Sequence, residues 1–141
     1  MSGPPHLPPP DPPAWFWDTI EQAHGNLERF HAALDRLDRD QLQQAYAYFK
    51  DLARVFDAPE YVRYMEPGTS EDGAFDVGAW IVTQGREHFR DVYEHPEKTP
   101  SSSTPGTREE RMMLGDILTH YRQKYGEWIP EGIAPEYPED Q

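Results

Sequence analysis

Apolar side chains recur every three to four residues along most of this chain, which is the spacing of one face of an α-helix. The apolar stripes are Phe16, Ile20 and Ala23; Leu27, Phe30, Leu34 and Leu37; Leu42, Ala45, Tyr46, Phe49, Leu52, Ala53 and Phe56; Phe89, Val92 and Tyr93; and Met113, Leu114, Ile117, Leu118, Tyr121 and Tyr125. β-Branched residues are few and scattered, and no segment alternates apolar and polar residues as a half-buried strand does. The pattern predicts an all-α fold: a single compact helical domain of about five to six helices.

Each apolar stripe is flanked by residues that favour the ends of helices. Short polar side chains cap the first turn of a helix, and glycine allows the backbone to leave the helix. The predicted starts are Asp11 as a cap before Pro12, Asp38 with Gln41, Ser70 with Glu71 and Asp72, and Thr107 with Glu110; the predicted breaks are Ala58-Pro59, Gly85, His95-Pro96 and Gly126. A further short helical piece is expected between Glu60 and Met65. We expect the core to depend on Phe30, Phe49, Trp80 and Leu118.

Proline and acidic residues separate two terminal segments from this helical domain, which spans 14–130. Residues 1–13 hold seven of the fifteen prolines, so they are expected to form a disordered arm that is either a spacer or a polyproline II ligand. Residues 97–106 are rich in Ser, Thr and Pro and are expected to form a flexible loop. Residues 131–141 are an acidic tail. In the segment from Glu127 onwards, Trp128, Ile129 and Ile133 are the expected anchors onto the domain.

The composition excludes several classes of protein. The net charge is −13, from 26 acidic and 13 basic side chains, which argues against direct nucleic-acid binding because phosphates are neutralised mainly by Lys and Arg. No apolar run approaches the ~20 residues that span a bilayer. Cysteine is absent, which excludes disulfides and thiolate metal sites. The prolines near the N-terminus are unlike a signal peptide, so a cytoplasmic protein is expected.

Several short motifs between residues 14 and 130 resemble those of a bacterial family known as domain of unknown function 4240. The motifs are Trp15-Phe16-Trp17, Ser70-Glu71-Asp72-Gly73, Trp80-Ile81-Val82, Gln84-Gly85-Arg86-Glu87 with Phe89, and Tyr121 with Gly126, Ile129 and Pro130. Two features depart from the family pattern. Val77-Gly78 replaces an aromatic-Arg pair, and the Leu- and Trp-rich helix expected before Ser70 is represented only by the stretch from Pro59 to Met65. The resemblance implies a compact helical domain and occurrence in bacteria, and it implies no reaction.

A candidate ligand site follows from the residues around Gly85. Arg86 has the planar donors that hold a carboxylate or phosphate, Gly85 allows close approach, and Trp80 supplies an aromatic wall. The candidate ligand-binding residues are therefore Trp80, Gln84, Arg86 and His88. The alternative is that Arg86 pairs within the chain, for example with Glu71 or Asp72, and ties two helix ends together.

No pattern in the sequence identifies a cofactor, a metal or a reaction. His24 and His31, and likewise His88 and His95, are seven residues apart, which places each pair about 10 Å apart along a helix, too far for one ion. Recognisable catalytic and phosphate-binding motifs are absent. We therefore expect no cofactor and no metal, and we favour a non-enzymatic protein.

The acidic residues are concentrated in two parts of the chain. Residues 57–76 and residues 127–141 each carry a net charge of −5, which together is −10 of the −13. Such patches favour docking to a basic protein by electrostatic steering, and mimicry of DNA is a sharper form of this hypothesis. The candidate partner-binding residues are Glu66, Glu71, Asp72 and Asp76. The alternatives are simple solubility and, for Glu71 and Asp72, compensation of a helix dipole.

Overall fold

The computed structural model describes residues 9–102 and 106–138, and within them it confirms the predicted all-α class. The helices are α1 (Ala14–Ala23), α2 (Leu27–Leu34), α3 (Arg39–Arg54), α4 (Pro59–Val62), α5 (Glu71–Thr83), α6 (Arg86–Glu94) and α7 (Arg108–Tyr125), with 3₁₀ turns at Val55–Asp57 and Pro96–Lys98. The described residues form seven helices, more than the expected five to six. The short piece expected after Ala58-Pro59 forms its own turn at Pro59–Val62, and Gly85 divides α5 from α6. No strand occurs in the described ranges, and no helix there is long and apolar enough to cross a bilayer.

Helix α3 lies at the centre of the domain and packs against α5 and α7. Its apolar stripe forms the core, and Leu42, Phe49 and Leu52 are fully buried. The predicted capping box starts this helix, since Asp38 accepts the Gln41 N–H at 2.8 Å and Gln41 accepts the Asp38 N–H at 3.0 Å. The local sequence thus fixes where α3 begins, and its apolar face determines what the other helices cover.

The core prediction is confirmed for two of its four residues. Phe30 and Phe49 are fully buried, whereas Trp80 and Leu118 are only partly buried and pack against the edge of the core. Leu118 lies on the apolar stripe that periodicity assigns to α7, and Trp80 lies near the end of α5. Their position at the edge of the core leaves one side of each side chain towards solvent.

Gly85 separates α5 from α6, as its break in the helical pattern predicted. Its φ of +102° is unfavourable for other residues, so the chain changes direction there. Gly85 offers α6 no capping side chain. Glu21 of α1 supplies the missing acceptor: its carboxylate accepts the Arg86 N–H at 3.0 Å. A side chain that is distant in sequence therefore caps α6 and fixes it against α1.

The start of α1 differs from the prediction. The helix begins at Ala14 with Pro13 in the N-cap position and no capping side chain, so Asp11 is not the cap. The Asp11 carboxylate instead binds Arg86, and Pro12 is buried. These residues belong to the segment predicted to be a disordered arm, and residues 1–8 of that arm lie outside the described residues.

The segment after α7 lies along α3. Gly126 ends α7 with a φ of +74°, as predicted. Gln44 donates to the Ala134 carbonyl at 3.0 Å and accepts the Glu136 N–H at 2.7 Å. The Tyr137 hydroxyl donates to the Asp51 carboxylate. The polar contacts of this segment therefore come mainly from α3, while residues 139–141 of the predicted acidic tail lie outside the described residues.

The anchors expected for this segment are confirmed only in part. Ile129 is buried and Ile133 packs against the core, but Trp128 is 57% exposed and is no anchor. Its ring instead lies against the Arg122 guanidinium, 5.3 Å from the ring centroid. The exposed indole therefore has a cation–π partner on α7 at the surface of the domain.

The described part of the loop at 97–106 contacts the domain. Thr99 is buried, and its hydroxyl donates to the Pro96 carbonyl at 2.7 Å. The Ser101 carbonyl accepts the Glu66 N–H at 3.0 Å. These contacts hold residues up to 101 beside the turn that precedes α5, and residues 103–105 lie outside the described residues.

Candidate functional site

The acidic face lies on the first two turns of α5 and the turn before it, and we define it by Glu66, Glu71, Asp72 and Asp76. Ser70 caps α5 by accepting the Gly73 N–H at 3.1 Å, as predicted. Glu71 and Asp72 therefore lie in the first turn, where the helix dipole favours acids. All four side chains of the face are exposed.

The carboxylates of the acidic face lack ion-pair partners among the described residues. In the described ranges, no Lys, Arg or His forms an ion pair with any of its four carboxylates. Asp72 and Asp76 are one helical turn apart, so their charges repel. Partial burial, and then the charge of Asp72, raise the pKa of the Asp76 carboxyl. Compensation of the helix dipole accounts for acidic side chains at Glu71 and Asp72. It does not account for Asp76, which lies beyond the first turn.

A shallow groove of about 420 Å³ adjoins the acidic face. It is lined by Arg54, Asp57, Glu71, Asp72 and Phe75. Arg54 comes from the end of α3, outside the acidic stretch 57–76, so sequence reasoning missed it. The groove offers one base and three acids around an aromatic side chain, a lining that suits a basic side chain with an apolar stem.

The second candidate site is brought together only in part. Gln84, Arg86 and His88 line an open cavity of about 970 Å³ with five other side chains: Glu21, Glu87, Arg90, Asp91 and Glu94. Trp80 does not line this cavity. Its ring packs edge-on against His88, with ring centroids 5.7 Å apart and an interplanar angle of 85°. The Trp80 ring, predicted to be the aromatic wall of the site, therefore contacts His88 and does not line the cavity.

Arg86 is already paired, with Asp11 and not with Glu71 or Asp72. Arg86 Nε lies 3.1 Å from Asp11 Oδ1, and Arg86 Nη2 lies 2.7 Å from Asp11 Oδ2. The hydrogen bond from Arg86 lowers the pKa of the Asp11 carboxyl despite its partial burial, and the nearby Trp17 indole contributes a smaller lowering. This two-point pair uses the donors that a carboxylate or phosphate ligand would need.

Gln84 is also engaged within the chain. Its amide donates to Glu110 at 2.7 Å and to the Thr83 hydroxyl at 3.1 Å. Burial raises the pKa of the Glu110 carboxyl, but hydrogen bonds from Thr107, Gln84 and Trp80 outweigh it and leave the pKa lowered. The Trp80 indole nitrogen has no partner at normal hydrogen-bond distance among the described residues. Its interaction with Glu110 is therefore weaker than those of Thr107 and Gln84.

Sequence reasoning missed a cluster between α2 and α7. His31 Nδ1 lies 2.9 Å from His120 Nδ1, and Asp116 and Asp35 lie beside the other two ring nitrogens. One signal was available: His120 follows Met113 and Ile117 on the apolar stripe of α7, a position that buries it. The described residues contain no group of three or more His, Asp or Glu side chains arranged to hold a metal ion.

Comparisons with family models, with curated proteins and with solved structures found no match to this chain. The resemblance to domain of unknown function 4240 therefore stays a prediction from short motifs, and the proposals below are argued from residues.

Proposed function

We propose that this protein is a non-enzymatic interaction module of the bacterial cytoplasm that docks a basic protein partner through its acidic face. An accessory or immunity-like role fits such a module. The observation that carries the proposal is the set of carboxylates at Glu66, Glu71, Asp72 and Asp76, which are exposed and form no ion pair with a described side chain.

Electrostatics supports a bound cation at this face. Like charges one turn apart on a helix cost about a few tenths of a kcal/mol. Partial burial, and after it this repulsion from Asp72, raise the pKa of the Asp76 carboxyl. A Lys or Arg of a partner would remove the repulsion, and the half-buried Phe75 ring beside the groove would contact its apolar stem. The long-range attraction would also speed association at low salt.

The test uses the protein as bait in a lysate of its source organism, with bound proteins eluted by a salt gradient. The bait is compared with a variant in which Glu66, Glu71, Asp72 and Asp76 are changed to Lys. A matched control carries the same charge change at exposed acids outside both acidic stretches, three of them also in first turns of helices: Glu28, Asp40, Glu94 and Glu109.

We expect one basic protein to bind the wild type and the control and to be lost from the acidic-face variant, with all three folded by circular dichroism. Equal loss from both variants would mean that net charge alone attracts proteins, and equal retention by both would place binding elsewhere. Either result contradicts the proposal.

A second candidate function, a small-molecule site, is favoured by the cavity beside Gln84, Arg86 and His88. An anionic ligand there must displace Asp11 from Arg86. Asp11→Ala should therefore increase the thermal shift that inorganic phosphate produces, and Arg86→Ala should abolish it. If neither variant changes the response to phosphate, Arg86 serves only to hold Asp11.

A further inference from the structure

Two histidines from different helices meet ring to ring between α2 and α7. The Nδ1 atoms of His31 and His120 are 2.9 Å apart. At the outer end of each ring stands a carboxylate: Asp116 Oδ2 lies 2.9 Å from His31 Nε2, and Asp35 Oδ1 lies 3.0 Å from His120 Nε2. The four side chains form a line, Asp116–His31–His120–Asp35, that joins the two helices.

The geometry of this line limits how many protons the two rings can hold. Each Nε2 faces a carboxylate, which is an acceptor only, so a proton is favoured on each Nε2, by a hydrogen bond at His31 and by charge attraction at His120. The contact between the two Nδ1 atoms needs one proton more, since one nitrogen must donate and the other accept. Three protons on two imidazole rings amount to one positive charge shared by His31 and His120.

A fourth proton does not fit the arrangement. It would place two N–H groups against each other across 2.9 Å and two positive charges in adjacent rings. With only two protons, either the Nδ1 contact lacks its hydrogen or one Nε2 turns a lone pair towards a carboxylate. The three-proton state is therefore the one in which every contact of the line is favourable.

The surroundings of His120 also disfavour a further charge on its ring. Its side chain is only 9% exposed, and burial is the main cause that lowers the pKa of its imidazole. Asp35 opposes this, while His31 and Lys124 add to it. The Asp35 contact is an ion-pair distance without hydrogen-bond geometry, and Asp35 is mostly exposed, so its compensation is incomplete.

The charged groups that act on the pair come from the two helices that it joins. They are Asp35, directly after α2, and Asp116 and Lys124 on α7. No charged side chain of α1 or α3 forms a hydrogen bond or an ion pair with either ring within 9–102 and 106–138. Protonation of the pair therefore affects chiefly the contact between α2 and α7.

We propose that the His31–His120 pair is a pH-sensitive lock, which holds α2 against α7 while the two rings share one proton and opens when acidification adds a second charge. The sign follows from linkage. With one charge shared in the fold, the two histidines bind fewer protons than in the unfolded chain below the unfolded pKa of about 6.5 and more above it, so the stabilisation is greatest near pH 6.5 and is lost as the pH falls further.

Two variants and one control test the lock by thermal unfolding from about pH 6.5 to about pH 4.5. His31→Gln and His120→Gln keep a polar side chain but cannot titrate at that position. His95→Gln removes an exposed histidine as the control. The wild type and the control should lose roughly 4 °C more of Tm over this range than His120→Gln, which removes the buried ring.

A spectroscopic count of protons provides the second measurement. Two-bond ¹H–¹⁵N spectra of histidine-labelled protein report the state of each ring nitrogen. We expect His120 to resist full protonation as the pH falls, because burial lowers the pKa of its imidazole.

Three results would overturn the lock: full protonation of both His31 and His120 in the folded protein at about pH 5.5, equal acid sensitivity of wild type and His120→Gln, or a Tm raised by Zn²⁺ in wild type but not in His31→Gln. The last would mean that a metal ion, and not a proton, belongs between the two Nδ1 atoms.

Discussion

The backbone of Ala53 occupies the place where Gly78 would carry a side chain. A Cβ built on Gly78 would lie 2.1 Å from the Ala53 carbonyl oxygen and 2.9 Å from its carbonyl carbon. Gly78 thus allows α5 to approach α3 along the central contact of the domain. The obstacle is backbone, which cannot move aside as a side chain can.

Gly78→Ala is expected to destabilise the protein by about 2–4 kcal/mol, because the two helices must separate to admit one methyl group. The measurement is urea unfolding followed by circular dichroism. Gly115→Ala is the matched control: Gly115 lies inside α7 with nothing within 4 Å of its Cβ position, so the same change should stabilise by ~0.5–1 kcal/mol. If the two variants have similar stability, the close approach of α3 and α5 is wrong.

Glu110→Ala is expected to cost about 1–2 kcal/mol, because Glu110 completes the capping box of α7 and also accepts from Gln84. Glu109→Ala removes the same charge from the same helical turn and should change the stability by less than about 0.5 kcal/mol. The pKa of Glu110 is lowered by folding, so its contribution is present above about pH 4.3 and is lost as the pH falls through the folded value. The difference between the two variants should therefore shrink in urea titrations at lower pH.

Asp11→Asn is expected to destabilise the protein by about 1 kcal/mol, since Asp11 holds Arg86 through two hydrogen bonds and is mostly buried. The effect should vanish as the pH falls below about 3.9, because the pKa of Asp11 is lowered in the folded state and its stabilisation is lost on protonation. Asp18→Asn, an exposed acid of α1, provides the control for charge. Equal effects of the two variants in urea unfolding would show that the pair with Arg86 contributes nothing specific.

Ile129→Ala should cost about 2 kcal/mol, whereas Trp128→Ala should lie within about 0.5 kcal/mol of wild type, although it removes the larger side chain. Ile129 is 7% exposed and Trp128 is 57% exposed, so only the first loses buried contacts. Thermal unfolding and limited proteolysis after Tyr125 both report this difference. A large loss in the Trp128 variant would mean that the indole is covered, by the rest of the chain or by a second copy.

The acidic face shows how far the sequence leads towards a site. Charge counting along the chain identified Glu66, Glu71, Asp72 and Asp76, and the structure places Asp72 and Asp76 one turn apart on α5. The same counting could not include Arg54, because that residue reaches the groove only through the packing of α3 against α5. For the second site, sequence proximity grouped Trp80 with Arg86, while the fold directs Trp80 to His88 and gives Arg86 to Asp11.

The sequence by itself determined the helical class and where most of the described helices begin and end, although not the start of α1 or the cap of α6. The contacts of Asp38 with Gln41, of Ser70 with Gly73 and of Thr107 with Glu110 each join residues three positions apart, so local backbone geometry decides them. The breaks at Gly85 and Gly126 are equally local, since only a positive φ is required.

Only the tertiary structure decided which helices meet and which distant side chains pair. His31 reaches His120 across 89 residues, Arg86 reaches Asp11 across 75, and Tyr137 reaches Asp51 across 86. The apolar stripes select which face of each helix is buried, but not the partner that covers it. That choice depends on close approaches such as Gly78 against Ala53, where shape and not hydrophobicity decides how two helices pack.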